Sequence, residues 1–300
     1  MPNGTDSLKR PLSAHMRVFT LEEIASTLQE MEDFPSSFSP LGFLSPDKCK
    51  ELDLRKGEVS LRKRKLSSPT PSGMSFEAAY FDALELLADP IYCIEVVSVA
   101  LSTEQLERAF YWGDGEWIVE AYLSEDGFRM SAPKELEPWS NAFAKTLLGE
   151  TNASQDPLAL PKSAYLMCQQ FAHSVSESEQ LTVDGLDAHL GHLIIDEESH
   201  RDQIIGALYE VGVLQNSAED SGATFKHPIW TCLLCDKNIQ VMVLDEEGEV
   251  GSMSFSGNPG NAAQIISPIN DDPELLMATW PTPTELQEDL LIGLKIVDDE

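Results

Sequence analysis

The residues best suited to metal chemistry are two cysteines three positions apart, Cys232 and Cys235. This is the C-x2-C spacing of half a structural zinc site, and His227 lies nearby in the sequence. A complete site needs a second compact pair of ligands, and Cys93 and Cys168 are not arranged as such a pair. Inside a predicted strand, residues three apart also face opposite sides of the sheet. We therefore expect buried core thiols rather than a zinc site.

A second candidate combines His189 and His192, three apart on a predicted helix, with the acidic stretch "IIDEESH". Two imidazoles and a carboxylate could hold a metal ion, but this stretch is typical of a helix that ends and restarts. The H-E-x-x-H, G-x-S-x-G, Walker and G-x-G-x-x-G motifs are all absent from the sequence. Because 51 residues are acidic, a catalytic carboxylate pair can be neither excluded nor chosen. The pattern favours a protein that is not an enzyme and binds no cofactor or metal.

The charge of the chain restricts the class of partner. The 51 acidic residues outnumber the 20 basic ones, and the net charge of −31 repels nucleic-acid phosphates and anionic lipid headgroups. A cationic partner, imitation of a nucleic acid and simple solubility all stay open. Five scattered cysteines favour a reducing compartment, and the sequence shows neither a signal-peptide core nor a long apolar window without charge. We expect a soluble cytoplasmic protein.

The first half of the chain is predicted to run from helices through a β-meander to a closing helix. Thr20 and Glu23 form a capping box before "LEEIASTLQEM", and a second helix is predicted over 75–88, before Pro90. Four strands follow, with Asp-Gly pairs at turns of the meander, and then a helix over 134–149. The basic, Ser/Pro-rich segment 49–74 is expected to be a mobile loop; the alternatives are a phosphorylation or targeting element, or an arm that folds back on the acidic body of the protein.

The second half repeats this order. Two predicted helices, "VDGLDAHLGHL" and "QIIGALYEVGVL", precede Pro228-Ile229-Trp230, which matches Pro90-Ile91-Tyr92. A hairpin, "NIQVMVLDEEGEVGSMSF", and a closing helix, "TPTELQEDLLIGL", follow. We predict an internal duplication of two helix–meander–helix units, 17–150 and 160–296, packed as one α+β body with an antiparallel sheet, flanking helical bundles and approximate two-fold symmetry. A parallel sheet is disfavoured because the strands come in consecutive runs.

This order resembles the EspG-like proteins of type VII (ESX) secretion systems. The stretches that carry the resemblance are "FTLEEIASTL", "LADPIYCIEVV", "YWGDGEWIVEAYLSEDGFRMSAPKEL" and "VMVLDEEGEVGSMSF", over about residues 17 to 296. It lies in the arrangement of elements rather than in a diagnostic motif. It implies a central antiparallel sheet between helical bundles, and a cytosolic chaperone that keeps a helical secretion substrate soluble by binding its exposed apolar tip.

The predicted partner contacts lie in the meander. They are Ser102, Thr103, Glu104 and Gln105 in the turn between its first two strands, together with Trp112 and Trp117. Alternation sends Tyr111 and Trp112 to opposite faces, so one of them should lie near solvent. We predict a non-enzymatic binding protein whose partner is a helical secreted protein of the PE/PPE or WXG100 kind. The alternative is an acidic immunity or inhibitor protein that binds a cationic toxin or nuclease.

Overall fold

The computed structural model describes residues 16–31, 34–71, 73–100, 105–149, 157–162, 165–166, 214–216, 223–225, 237–266 and 274–295. The first part contains β1 (Arg17–Phe19), α1 (Leu21–Met31), α2 (Pro46–Glu51), α3 (Leu54–Lys63), β2 (Ser67–Thr70), β3 (Gly73–Phe76), α4 (Ala78–Ala88), β4 (Tyr92–Ala100), β5 (Gln105–Gly113), β6 (Trp117–Ser124), β7 (Gly127–Met130), β8 (Lys134–Glu135) and α5 (Leu136–Leu148). The remainder contains β9 (Leu158–Pro161), β10 (Leu214–Asn216), β11 (Ala223–Phe225), β12 (Lys237–Asp245), β13 (Gly248–Asn258), β14 (Asn261–Ile266), β15 (Leu275–Thr279) and α6 (Pro283–Lys295).

Within these ranges, eleven strands form one sheet. Its order is β1-β7-β6-β5-β4-β12-β13-β14-β15-β9, with β8 beside β6, and two small hairpins, β2–β3 and β10–β11, lie outside it. Every strand pairing among the described residues is antiparallel. The α+β class and the antiparallel sheet are therefore confirmed, and the parallel alternative is excluded. No helix in the described ranges is long and apolar enough to cross a membrane.

The centre of the sheet is the pair β4–β12, in which Val96 lies opposite Val241. On one side follow β5, β6 and β7, and on the other β13, β14 and β15, so the strand order is symmetrical about this pair. The helices α5 and α6, which come after the two runs, lie together, and Asn141 Nδ2 donates to Gln287 Oε1 at 3.0 Å. An internal duplication would produce this order, but the duplication and its two unit boundaries stay predictions.

Some of the segments on which the duplication was based lie outside the described residues. These are 228–230, which were matched in sequence to 90–92, and the predicted helices over 183–193 and 203–213. The last residue of the second predicted helix, Leu214, is described and begins strand β10. The strand that the structure sets beside β4 is β12, farther along the chain.

The two faces of the sheet bury separate cores. The α5–α6 face contains Tyr92, Ile94, Val96, Tyr111, Ile118, Trp139, Phe143, Ile239, Val241, Phe255, Leu286 and Leu290. The opposite face, under α1 to α4, contains Phe19, Ile24, Leu28, Leu61, Tyr80, Leu84, Leu87, Val119 and Phe128. Successive residues such as Ile118 and Val119 enter different cores because side chains alternate across a strand.

The segment 49–74 is not a loop, which corrects our expectation. It contains the end of α2, the whole of α3 and most of the hairpin β2–β3. Leu61 is fully buried in the core, and at Gly57 the α3 backbone approaches α1 so closely that an added Cβ would lie 2.0 Å from the Glu22 carbonyl oxygen. These contacts with a distant element give the segment its structure, and the composition of the segment does not reveal them.

A buried carboxylate holds α3 against α1. The side chain of Glu23 is only 1% exposed and accepts hydrogen bonds from Arg64 Nη1 at 2.8 Å, Ser60 Oγ at 2.7 Å and the backbone N–H of Thr20 at 2.9 Å. Glu23 N–H in turn donates to Thr20 Oγ1, which confirms the capping box. The basic residue Arg64 is therefore bound by an acidic helix rather than mobile in solvent.

Candidate partner-binding surface

The sheet divides between β5 and β6. The strand β5 pairs with β4 along its whole length, from Gln105 to Gly113, but with β6 only through Tyr111, Trp112 and Gly113. Beyond Glu120, β6 pairs instead with β7 on its other side. From Gln105 to Phe110, β5 thus has a strand on one side only within the described part of the chain. We call this stretch, 105–110, the β5 edge.

The indole of Trp112 lies where the two strands separate. Its Nε1 donates to the carbonyl oxygen of Ala121 at 3.2 Å, and its ring meets Phe38 edge-on with centroids 5.5 Å apart. The last β5–β6 pair is Tyr111 with Glu120, and the next pair would be Phe110 with Ala121. The indole N–H thus bonds the first β6 carbonyl oxygen after the pairing ends. Trp112 therefore positions the β5 edge. It is partly buried, and Tyr111 is buried in the α5–α6 core.

The side chains around the β5 edge form a partly exposed apolar surface on the sheet face away from α5 and α6. We call it the open face; its members are Glu95, Val97 and Val99 of β4, Leu106, Arg108 and Phe110 of β5, and Gln240 and Met242 of β12. Leu106 is 51% exposed, and the other apolar members are intermediate in exposure. On the same three strands, the α5–α6 face holds residues such as Ile94 and Val241 with no exposure. The open face is thus the more solvent-exposed side of these strands.

One ion pair lies within this apolar surface. Arg108 Nη1 is 3.6 Å from Glu95 Oε1; the Arg108 side chain is 54% exposed and the Glu95 side chain 13%. At this length and exposure, the pair contributes well under about 1 kcal/mol to stability. The guanidinium is therefore available to a partner at little cost.

The titratable groups beside the open face are poorly suited to nucleophilic chemistry. Burial raises the pKa of the Cys93 thiol, and the nearby Glu95 charge adds to the effect. On the other face of β5, burial raises the pKa of Tyr111, with a further contribution from Glu120, whereas Lys134, whose pKa burial lowers, lies on β8 beside β6 and away from the open face. The thiol and the phenol thus stay protonated at neutral pH and are weak nucleophiles. Within the described ranges, no three His, Cys, Asp or Glu side chains come together as a metal site would require.

The structure separates the predicted contact residues that it describes. Gln105 is exposed and begins the β5 edge, whereas Trp117, 41% exposed, lies near the far end of β5. From Gln105 to Gly113, at the far end of β5, the strand advances eight residues at about 3.4 Å each, or about 27 Å. Gln105 and Trp117 are therefore too far apart to contact one small epitope. Ser102, Thr103 and Glu104, which complete the predicted turn, lie outside the described residues.

The six named contact residues include neither Leu106, which directly follows Gln105, nor Phe110. The alternation in "QLERAFYW" could have found them, because a buried Tyr111 puts both residues on the opposite face of β5. The metal candidates Cys168, Cys232, Cys235, His189, His192 and His227 lie outside the described residues, whereas Cys49 and Cys93 are buried and free.

No protein-family model matches the sequence, and no curated protein matches it. Among solved structures, the chain is similar to a chain in the structure of the Mycobacterium tuberculosis type VII secretion system chaperone EspG5 in complex with the PE25-PPE41 dimer. The match covers 95% of this chain and 96% of that chain, with a TM-score of 0.44 and 9% sequence identity. At so low a TM-score and identity, the likeness assigns neither a family nor a function.

Proposed function

We propose that this protein is a cytoplasmic, non-enzymatic chaperone that binds a helical secreted protein of a type VII system, of the PE/PPE or WXG100 kind, and shields its apolar tip. The observation that carries the proposal is the open face, with Leu106 half exposed among partly exposed apolar neighbours. Contiguous apolar surface beside polar groups is typical of protein interaction sites. The resemblance of the whole sequence to EspG-like proteins supports the kind of partner.

The open face suits an apolar tip for a physical reason. Valine, leucine and phenylalanine side chains supply area that a partner can remove from water, at about 25 cal/mol per Å². Arg108 and Gln240 supply polar groups at the same surface, which can fix the orientation of the partner. A chaperone needs such moderate, reversible affinity because the substrate must later be released.

The test is capture of the partner from source cytosol by the full chain, with identification by mass spectrometry. Wild type is compared with Leu106→Asp and with Ile292→Asp, a matched control because Ile292 is 59% exposed but lies on α6, the helix that packs on the opposite face of the sheet. A small helical secreted protein should be recovered with wild type and with the control. With Leu106→Asp its affinity should fall at least about tenfold, because a charge replaces an apolar contact. Equal recovery in all three samples, or recovery of no such protein, would refute the proposal.

A second candidate function rests on the net charge of −31. Asp245, Glu246, Glu247 and Glu249 cluster at the β12–β13 turn, where a cationic toxin or nuclease could be held by charge. Such a complex should weaken steeply as salt rises, whereas capture of an apolar tip should change little. Recovery of a basic protein whose binding is abolished by high salt would favour this alternative.

A further inference from the structure

The β5 edge presents unused backbone groups. In an antiparallel sheet, each residue directs its N–H and C=O groups to the same neighbouring strand, and successive residues alternate between the two neighbours. Among the six residues of the β5 edge, about three therefore bond β4, and the other three direct about three N–H and three C=O groups to the side away from β4. No backbone hydrogen bond among the described residues reaches 105–110 from that side. An exposed strand edge of this kind is a template for another strand.

Two other strand edges in the described structure are less suited to this role. At β1, Arg64 Nη1 donates to the Val18 carbonyl oxygen at 3.0 Å, so a side chain already occupies that edge. At β13, the part from Gly248 to Met253 also has only β12 as a partner, but it contains Gly248 and Gly251 and follows an acidic turn. Glycine and acidic residues both weaken strand pairing. The β5 edge contains no glycine and a single acidic residue, Glu107, which a basic residue on the added strand can pair with.

A second copy of this chain is a poor occupant. Two-fold antiparallel pairing centred on the middle of the edge would set Glu107 against Glu107, or Arg108 against Arg108, and like charges directly opposite are destabilising. The net charge of −31 on each copy adds long-range repulsion. The edge therefore favours a different chain.

The side chains of the edge define what that chain should contain. Leu106, Arg108 and Phe110 share the open face, and Glu107 and Ala109 share the other. A strand opposite them gains from apolar residues facing Leu106 and Phe110, an acidic residue facing Arg108, and a basic residue facing Glu107. Because Arg108 is half exposed and its contact with Glu95 is long, at 3.6 Å, it can turn to an acidic partner.

We propose that an extended segment of the partner adds to the β5 edge as a further strand of the sheet, with the pattern apolar–x–acidic–x–apolar. The inference rests on the proposed function for the identity of that partner. Backbone hydrogen bonds supply the affinity and side chains facing the open face select the sequence. The apolar tip and the added strand would then be held side by side.

The first test uses synthetic peptides as probes. The peptide SGVTEKVGS carries the pattern for an antiparallel strand, and SGVTKKVGS reverses the central charge. Wild type should prefer the first peptide about tenfold, and Arg108→Glu should reverse that preference, because the cross-strand pair changes from attractive to repulsive. Arg108 is half exposed, so this substitution should leave the fold intact, as circular dichroism would show. Equal affinity of both proteins for both peptides would overturn the inference.

The second test measures amide hydrogen exchange on the full chain, with peptide and with the captured partner. Strand addition should slow exchange of alternate amides within 105–110, with no comparable change in β13. If the partner binds in a Leu106-dependent way without slowing these amides, the inference fails while the proposed function stands. If no helical secreted partner is captured, the proposed function fails. Protection that rises with protein concentration alone would assign the edge to a second copy and overturn the inference.

Discussion

Replacing Glu23 with alanine should destabilise the protein far more than the same change at its neighbour, Glu22. Both carboxylates contact the basic helix α3: Glu23 binds Arg64 at 2.8 Å, and Glu22 binds Lys56 at 2.7 Å. They differ in burial, since the Glu23 side chain is 1% exposed and the Glu22 pair is open to water. The two variants therefore compare a buried and an exposed ion pair between the same two helices.

The magnitude for Glu23 follows from its three hydrogen bonds. Loss of its bond to the Thr20 N–H removes half of a capping box, about 1 kcal/mol. Loss of the Ser60 hydroxyl costs about 1 kcal/mol, because a hydrogen bond to a charged group is lost. Breaking a buried pair can cost about 3–5 kcal/mol, but Arg64 is one-third exposed and can regain water, which reduces this to about 1–2 kcal/mol. We expect about 3–4 kcal/mol for Glu23→Ala and about 0.5 kcal/mol for Glu22→Ala.

The assay is urea denaturation of the two variants and the wild type, followed by tryptophan fluorescence and circular dichroism. The free energy of unfolding should fall by the stated amounts, and Glu23→Gln should lie between wild type and alanine because an amide retains part of the hydrogen bonding. Equal destabilisation by Glu22→Ala and Glu23→Ala would refute the reasoning, since burial would then not decide the contribution.

Three further predictions follow from the packing and the titrating groups. Gly57→Ala should cost about 2–4 kcal/mol in urea denaturation, because its Cβ would overlap the backbone of α1, whereas Gly251→Ala, with open space around its Cβ, should be within about 0.5 kcal/mol of wild type. Hydrogen bonding to Lys56 lowers the pKa of Glu22, so its contribution to stability is present above its ordinary pKa of 4.5 and is lost as the pH falls below that value; Glu22→Gln should show a shallower loss of stability in acid titration, and an unchanged slope would contradict this. Cys49 and Cys93 are buried with a raised pKa, so mass spectrometry should find both unlabelled by a maleimide reagent at pH about 8 until urea unfolds the chain, and rapid labelling of either thiol in the native protein would be the contrary result.

Local signals in the sequence predicted several elements correctly. The capping box at Thr20 and the end of α5 at Gly149, a C-cap where φ is 85°, depend on residues within one turn of a helix. The meander and the β12–β13 hairpin depend on short-range alternation and Asp-Gly or Glu-Gly turns. Such features are determined by neighbouring residues, so the sequence alone reveals them.

The errors arise where distant residues decide the structure. Phe76 was predicted to lie in a helix but belongs to β3, which pairs with β2 and places its ring near Phe81 and Tyr80. The basic segment is folded as α3 because it contacts α1, which lies more than thirty residues earlier in the sequence. Neither contact leaves a periodic signal in the segment itself.

The candidate site was only partly predictable for the same reason. Gln105, one of the predicted contact residues, begins the β5 edge, whereas the turn before it lies outside the described residues. The separation of β5 from β6 does not follow, because it involves an indole that bonds a carbonyl nine residues away at Ala121. Trp112 sets up the exposed strand, and its predicted contact with a partner stays a prediction.

The pairing of β4 with β12 also has a consequence for biosynthesis. The ribosome must add 137 residues after Ala100, up to and including Lys237, before the central ladder can begin, which takes roughly 7–27 s at ordinary elongation rates. During that interval, the first half of the nascent chain exposes the edge of β4, which is rich in valine and prone to pair with other chains. The nascent chain would thus need protection of this edge while the protein is being made.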